Sequence, residues 1–253
     1  MFTIKRVTFA LAILAFAPGL SLALEATAPT PKLAADMTPV TTDNAFLRTA
    51  EAPDYWAMSP FYLAQQTNAA CSLASMAVAM NTLRGLPASA KETLITQDNL
   101  LEAVADPDWN RQAAEDGDGV TFDDLVEQAK ASPAALAIDA SVEARQPALD
   151  STATLEAFRT LLAENEQSAN DVVLVYYNQG VVTGDWDGPH VSPIGAYDAA
   201  RDRVLIMDVD REWYVPYWTK TGTLYDAMLK PTSAEHGVLE GEVGGWVRIA
   251  RGN

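Results

Sequence analysis

The sequence predicts an α+β fold in which a helical lobe is followed by an antiparallel β lobe. Two patterns carry this expectation. Before about residue 165, apolar residues recur at three- and four-residue steps, the spacing of helices. Beyond residue 170 they run together in β-branched and aromatic stretches bounded by turn residues, the mark of buried strands. The chain has 253 residues, 49% apolar and 20% charged, so it has globular composition and enough length to bury a full core.

The elements follow in order. Leu73, Met76, Ala77, Met80 and Leu83 define a helix over residues 70–84, stopped by Gly85 and Pro87. Ala, Met and Ser make nearly every face of it apolar or small, so it is a buried helix, with Cys71 in its first turn. Residues 91–105 are helical by pattern. An acidic stretch follows through Asp106, Asp108, Asp116 and Asp118; it lacks EF-hand spacing and reads as a solvated loop. Thr121 is a helix N-cap with Asp124 at the capping-box position, and that helix runs to about Ala131. Residues 136–138 are a short strand and residues 154–164 an amphipathic helix. Strands are predicted over 171–178, 190–197, 203–208 and 245–250, the middle two as an antiparallel hairpin.

The N-terminus is laid out as an export signal. Lys5 and Arg6 precede an apolar run over residues 7–20, and Ser21-Leu22-Ala23 offers a cut after Ala23. Residues 24–43, rich in Ala, Thr and Pro, read as a flexible leader, and the catalytic domain is expected over 44–253. The mature protein is then exported, periplasmic and free of membrane spans. Removing residues 1–23 takes away two cations and no acid, so the net charge moves from −17 to −19. Clustered Lys and Arg, which phosphate backbones require, are missing, so a nucleic-acid partner is not expected. One Cys excludes an internal disulfide and Cys-based metal sites, and two His exclude a three-His site. No metal or cofactor is expected. A homodimer stays open.

A single thiol in an exported chain is either a buried hydrophobe or a reactive group. A helix N-terminus and a nearby imidazolium both stabilise a thiolate. Of the two histidines, His236 lies in a polar loop and reads as a surface residue. His190 opens a strand after Gly188-Pro189, where rigid structure can aim its ring into a cleft. Asp208 ends the next strand of the hairpin, 18 residues on, and a carboxylate after an apolar run there is costly unless paired. Spacing allows Cys71, His190 and Asp208 to meet as nucleophile, base and orienting acid. It equally allows Asp208 to be a strand-end cap.

Three segments carry a resemblance: Gln65-Gln66-Thr67-Asn68-Ala69-Ala70-Cys71-Ser72-Leu73, His190-Val191-Ser192-Pro193-Ile194-Gly195-Ala196-Tyr197, and Val204-Leu205-Ile206-Met207-Asp208-Val209-Asp210-Arg211. With Tyr214-Val215-Pro216-Tyr217-Trp218 they resemble the phytochelatin synthase family, papain-like cysteine enzymes that act on glutathione. The resemblance runs from about residue 51 to 250. It implies Cys71 as nucleophile, His190 as general base and acid, Asp208 as orienting carboxylate and Gln65 as the oxyanion-hole amide, with Gln66 its neighbour should the register slip. Ser72 stands where the family usually has Gly, which implies a tighter acyl pocket. Gly244-Gly245-Trp246 stands where the family carries an Arg for the substrate carboxylate; Arg211 and Arg248 are the substitutes considered.

The implied chemistry is removal of Gly from glutathione or its conjugates through a γ-Glu-Cys thioester on Cys71. Short bacterial-type members resemble hydrolases, with dipeptidyl transfer to phytochelatin as a side activity and metal–thiolate glutathione as a conceivable acceptor. The competing readings are a general papain-like envelope peptidase and a catalytically idle domain that binds thiols or metal.

Overall fold

The computed structural model describes residues 32–252. The export signal expected over residues 1–23, and the start of the expected leader behind it, lie outside the described residues. No helix among the described residues is long and apolar enough to cross a membrane.

The chain runs β1 (Thr38–Pro39), α1 (Ala45–Thr49), α2 (Pro53–Met58), α3 (Cys71–Arg84), α4 (Gln97–Val104), α5 (Pro107–Gln112), α6 (Phe122–Ala135) and β2 (Ala140–Arg145). It continues through α7 (Leu155–Asn165), β3 (Asp171–Asn178), α8 (Gln179–Thr183), β4 (Pro189–Asp198), β5 (Arg203–Ile206), β6 (Tyr217–Lys220), α9 (Thr221–Leu229) and β7 (Gly245–Arg251). The strands form one antiparallel sheet in the order β1-β6-β5-β4-β3-β7-β2. The α+β expectation and the β4–β5 hairpin are both present.

The sheet is covered on both faces. Strand side chains alternate between faces, and β3 shows the consequence. Val172, Leu174 and Tyr176 join one apolar core with α3 to α6, while Val173, Val175 and Tyr177 join a second core with α7 and α9. Every residue of β3 is therefore buried. Helix α3 lies against β4 with all its residues but Arg84 buried. Burial of Met76, Met80 and Leu83 contributes roughly 1.5–3 kcal/mol each to holding it there.

Several boundaries differ from the sequence reading. The compact fold starts before residue 44: Met37 is buried and β1 pairs with Tyr217 and Trp218, so the end of the presumed leader is an edge strand. The helix expected over 91–105 begins only at Gln97, because Thr96 and Asn99 close a capping box there. Residues 136–138 are a turn. The strand comes next, over Ala140–Arg145, alternating half-buried and exposed as an edge strand does. Asp106 caps a short helix, α5, through the backbone N–H groups of Asp108 and Trp109, so part of the acidic stretch is helical. The Thr121–Asp124 capping box is present, and its helix extends through Pro133 to Ala135.

Candidate active site

Cys71 opens α3. Helix first-turn N–H groups lack intrahelical acceptors, and Ala70 before it supplies no side-chain cap. The backbone N–H of Cys71 is thus a spare donor beside its own thiol. One turn later, Ser75 donates from its buried hydroxyl to the carbonyl of Val191 at 2.9 Å. That bond ties the start of α3 to β4 one residue past His190.

His190 and Asp208 are both buried, and His190 Nε2 lies 2.9 Å from Asp208 Oδ1. The other ring nitrogen, Nδ1, is left for the thiol. Burial works against the imidazolium, but the Asp208 charge and hydrogen bonds to Asp208 and Cys71 outweigh it and hold the His190 pKa well above its ordinary value. Asp208 is displaced the other way. Burial raises its carboxyl, while the His190 charge, the Asp210 backbone and Tyr217 bring it below the usual carboxylate range.

The carboxylate is fully engaged. Gln179 Nε2 and the Tyr217 hydroxyl each donate to Oδ2 at 2.9 Å, and Asp210 N–H donates to Oδ1 at 2.9 Å. The Tyr217 hydroxyl also meets that of Tyr177 at 2.9 Å, and the Tyr62 hydroxyl donates to the Asp208 carbonyl. Tyr177 presents an edge to the His190 ring, with centroids 5.8 Å apart. The ring is fixed on every side but the one facing Cys71.

Two lobes of one cleft meet at this pair. The first, about 350 Å³, is lined by Cys71, His190, Val120, Tyr176 and His236. The second, about 430 Å³, holds Gln65, Gln179, Trp213 and Tyr214 with the same Cys71 and His190. Trp186 borders both. Its indole is edge-on to His236 at 5.3 Å, and His236 Nε2 lies 2.6 Å from the Asp187 carbonyl. Gly188 is required by this packing, since a Cβ there would stand 2.3 Å from the Trp186 ring.

Gln65 sits at the mouth of the second lobe, half-buried, with its backbone N–H bonded to the Val209 carbonyl at 2.9 Å. Its side-chain oxygen has no protein partner. Buried Gln97 supports this loop: Oε1 accepts from Gln66 N–H at 3.2 Å and Nε2 donates to the Ala64 carbonyl at 2.9 Å. Gln66 itself is exposed and lines neither lobe. The site thus brings together Cys71, His190, Asp208 and Gln65.

A model of the phytochelatin synthase family matches residues 29–236. The chain belongs to the phytochelatin synthase family. It is 28% identical over 193 residues to glutathione gamma-glutamylcysteinyltransferase 1 of Arabidopsis thaliana, covering 73% of this chain and 36% of that protein. Against glutathione gamma-glutamylcysteinyltransferase 3 of Lotus japonicus it is 39% identical over 75 residues, 30% of this chain and 15% of that one. The chain therefore spans little more than a third of the first of these relatives. Helices on an antiparallel sheet agree with the papain-like fold of the phytochelatin synthase family.

Both departures from the family pattern have a physical account here. Ser72 is buried and its hydroxyl accepts from Trp109 Nε1 at 3.0 Å, so it faces the helical core and lines neither lobe; it does not narrow the acyl pocket. Gly244 has no room for an Arg, because a Cβ would lie 2.0 Å from the Tyr176 carbonyl oxygen. Neither of the substitutes considered lines either lobe. Arg248 is bound to Asp171 at 2.5 Å on β7, and Arg211 packs on the Tyr62 ring at 4.9 Å and lines a third cavity that shares Trp213 and Tyr214 with the second lobe. Among the described residues, no Lys or Arg lines either lobe.

Sequence reasoning missed Gln179, Tyr217, Trp186, Gln97 and the cleft position of His236, which it read as a surface residue. It also read Asp118 and its glycine neighbours as plain solvated loop, whereas Gly117, Asp118 and Gly119 form one wall of the first lobe.

Proposed function

We propose that this chain transfers or hydrolyses the γ-Glu-Cys acyl group of glutathione or its S-conjugates, with Cys71 as nucleophile. One observation carries the reading: a buried His190–Asp208 pair directs its free ring nitrogen to a thiol at an uncapped helix N-terminus. The Cys71 thiolate adds to the Cys–Gly carbonyl, and the developing oxyanion is met by the Cys71 N–H and the Gln65 amide. His190 gives its proton to the departing glycine nitrogen as the C–N bond breaks. Water, deprotonated by His190, then cleaves the thioester and returns γ-Glu-Cys and the thiol. A second glutathione amine in place of water would yield a phytochelatin. We take hydrolysis as the main outcome, with dipeptidyl transfer as a side activity. Reading residues 1–23 as an export signal puts this activity in the periplasm.

A second reading, a general papain-like peptidase, draws on the missing basic residue at the cleft. Purified protein incubated with glutathione, with products read by mass spectrometry, separates the two. Glycine release that disappears in Cys71→Ala is expected. Cleavage of ordinary peptides with glutathione left intact would favour the peptidase, and activity unchanged in Cys71→Ala would sink both.

A further inference from the structure

The rim of the second lobe already holds an ammonium. Lys32 Nζ lies 4.4 Å from the centre of the Trp213 ring, 4.6 Å from that of Tyr214 and 3.2 Å from Asp185 Oδ2. The Tyr214 hydroxyl donates to the same Asp185 oxygen at 2.9 Å, so one of the rings that meets the cation also fixes its carboxylate. A cation within about 6 Å of an aromatic centroid is drawn to the negative face of the ring. Two such rings beside a carboxylate make a receptor for an organic ammonium, and Lys32 shows the fit.

Lys32 holds this place loosely. Its side chain and that of Asp185 are 42% and 43% exposed, and exposed ion pairs contribute little. A second carboxylate, Asp210, lines the same lobe and has no ion-pair partner among the described residues. It lies within electrostatic reach of both His190 and Lys32, so it links the catalytic pair to the aromatic rim. At about 430 Å³ the lobe is on the scale of a small-ligand site, roughly 300–1,000 Å³, and offers more room than a departing glycine fills. The free carboxylate of that glycine would meet two like charges.

His190 decides which end of a substrate enters. The departing amine takes its proton from that ring, and the second lobe runs along the His190–Asp208 pair: Gln179 and Asp210 of its lining both bond to Asp208. The departing side of the scissile amide therefore extends toward Asp210, Trp213 and Tyr214.

We propose that this lobe is a binding site for an alkylammonium group, and that the preferred substrates are γ-glutamylcysteinyl peptides whose departing end carries a cation in place of the free glycine carboxylate. This deepens the proposed function and rests on its reading of Cys71 as nucleophile. The incoming ammonium pairs with Asp210 and displaces Lys32 from the two rings. The bond cleaved is the same Cys–Gly amide, and its nitrogen leaves with the His190 proton.

The test uses two glutathione amides. In one the glycine carboxyl is joined to a four-carbon diamine, leaving an ammonium at the far end; in the other it is joined to a five-carbon monoamine, with a methyl in that place. Salt at 0.15 M, where the Debye length is about 8 Å, screens the wider acidic surface. Under those conditions kcat/KM for release of the glycyl amine should be about tenfold higher for the cationic compound, the equivalent of 1.4 kcal/mol. Trp213→Leu, at a residue 59% exposed, removes a ring and changes no charge, and it should cut that ratio to about twofold. Lys32→Met vacates the rings and should raise the ratio. Calorimetry on Cys71→Ala should show the same preference in binding, again reduced by Trp213→Leu. Cleavage of both compounds with equal kcat/KM overturns the ammonium site and leaves the proposed function standing. So does a preference that Trp213→Leu leaves intact. Preferential binding that depends on Trp213, with neither compound cleaved, keeps the site and sinks the proposed function. Equal binding with no cleavage overturns both.

Discussion

At Asp208 one carboxylate accepts from His190, Gln179, Tyr217 and the Asp210 backbone, with no solvent contact. Its folded pKa is depressed, so its contribution to stability is present above about pH 4 and is lost as pH falls through the folded value. His190 is raised, so its contribution is full below about pH 6.5 and is lost as pH climbs toward the folded value. The pair therefore stabilises most between those limits. Asp208→Asn should lower Tm most in that window and less above it, as thermal melts across pH would show. It should also cut kcat by roughly 10²–10⁴-fold through a misoriented imidazole. Asp54 behaves in the opposite way. Both its oxygens are buried without partners, and burial with the nearby Asp171 and Glu166 charges pushes its carboxyl up to about 9. The folded state keeps a proton there that the unfolded state releases above about pH 4, so stability falls as pH rises from there toward the raised value. Asp54→Asn should flatten that decline; an unchanged slope in denaturant titrations at pH 5 to 9 would refute it.

Elements differ in how openly the sequence announced them. Helix α3 and strands β3 and β4 are buried on both sides, so their apolar runs were legible, and with them Cys71, His190 and the hairpin that returns to Asp208. Gln65 was legible only by resemblance. Edge strands β1 and β2 carry half-exposed side chains and no run, and they went unread or were misplaced. Gln179 and Tyr217 were hidden for another reason. Each is a polar residue whose role depends on where a different strand puts Asp208, and no local spacing encodes that. The same holds for Gln97, which braces the Gln65 loop from α4. Removing an oxyanion-hole donor itself costs about 10²–10³ in kcat. Gln97→Leu only loosens the donor's support, so a loss of about tenfold in kcat with KM nearly unchanged is expected in steady-state kinetics. A fall confined to KM would place Gln97 in substrate binding instead.

Over the whole molecule, 34 acidic residues face 17 basic ones. The imbalance reaches the cleft. Asp118 and Glu235 line the first lobe, Asp185 and Asp210 the second, and the nearby cation Lys32 is bound to Asp185 at 3.2 Å. The field around such a cleft repels a net anionic tripeptide instead of guiding it in. Exposed charges more than a Debye length apart are screened, and that length shrinks from about 30 Å at 0.01 M salt to about 8 Å at 0.15 M. Enzymes that steer an anion with a basic cleft lose kcat/KM as salt rises. Here the sign reverses. Raising sodium chloride from 0.01 to 0.15 M should increase kcat/KM for glutathione severalfold, chiefly through KM, because the approach is what screening eases. A substrate made neutral by amidation of its glycine carboxylate should respond less. A kcat/KM for glutathione that fell with salt would mean that a cation outside the described lining attracts the substrate, and the acidic cleft would lose its part in selecting it.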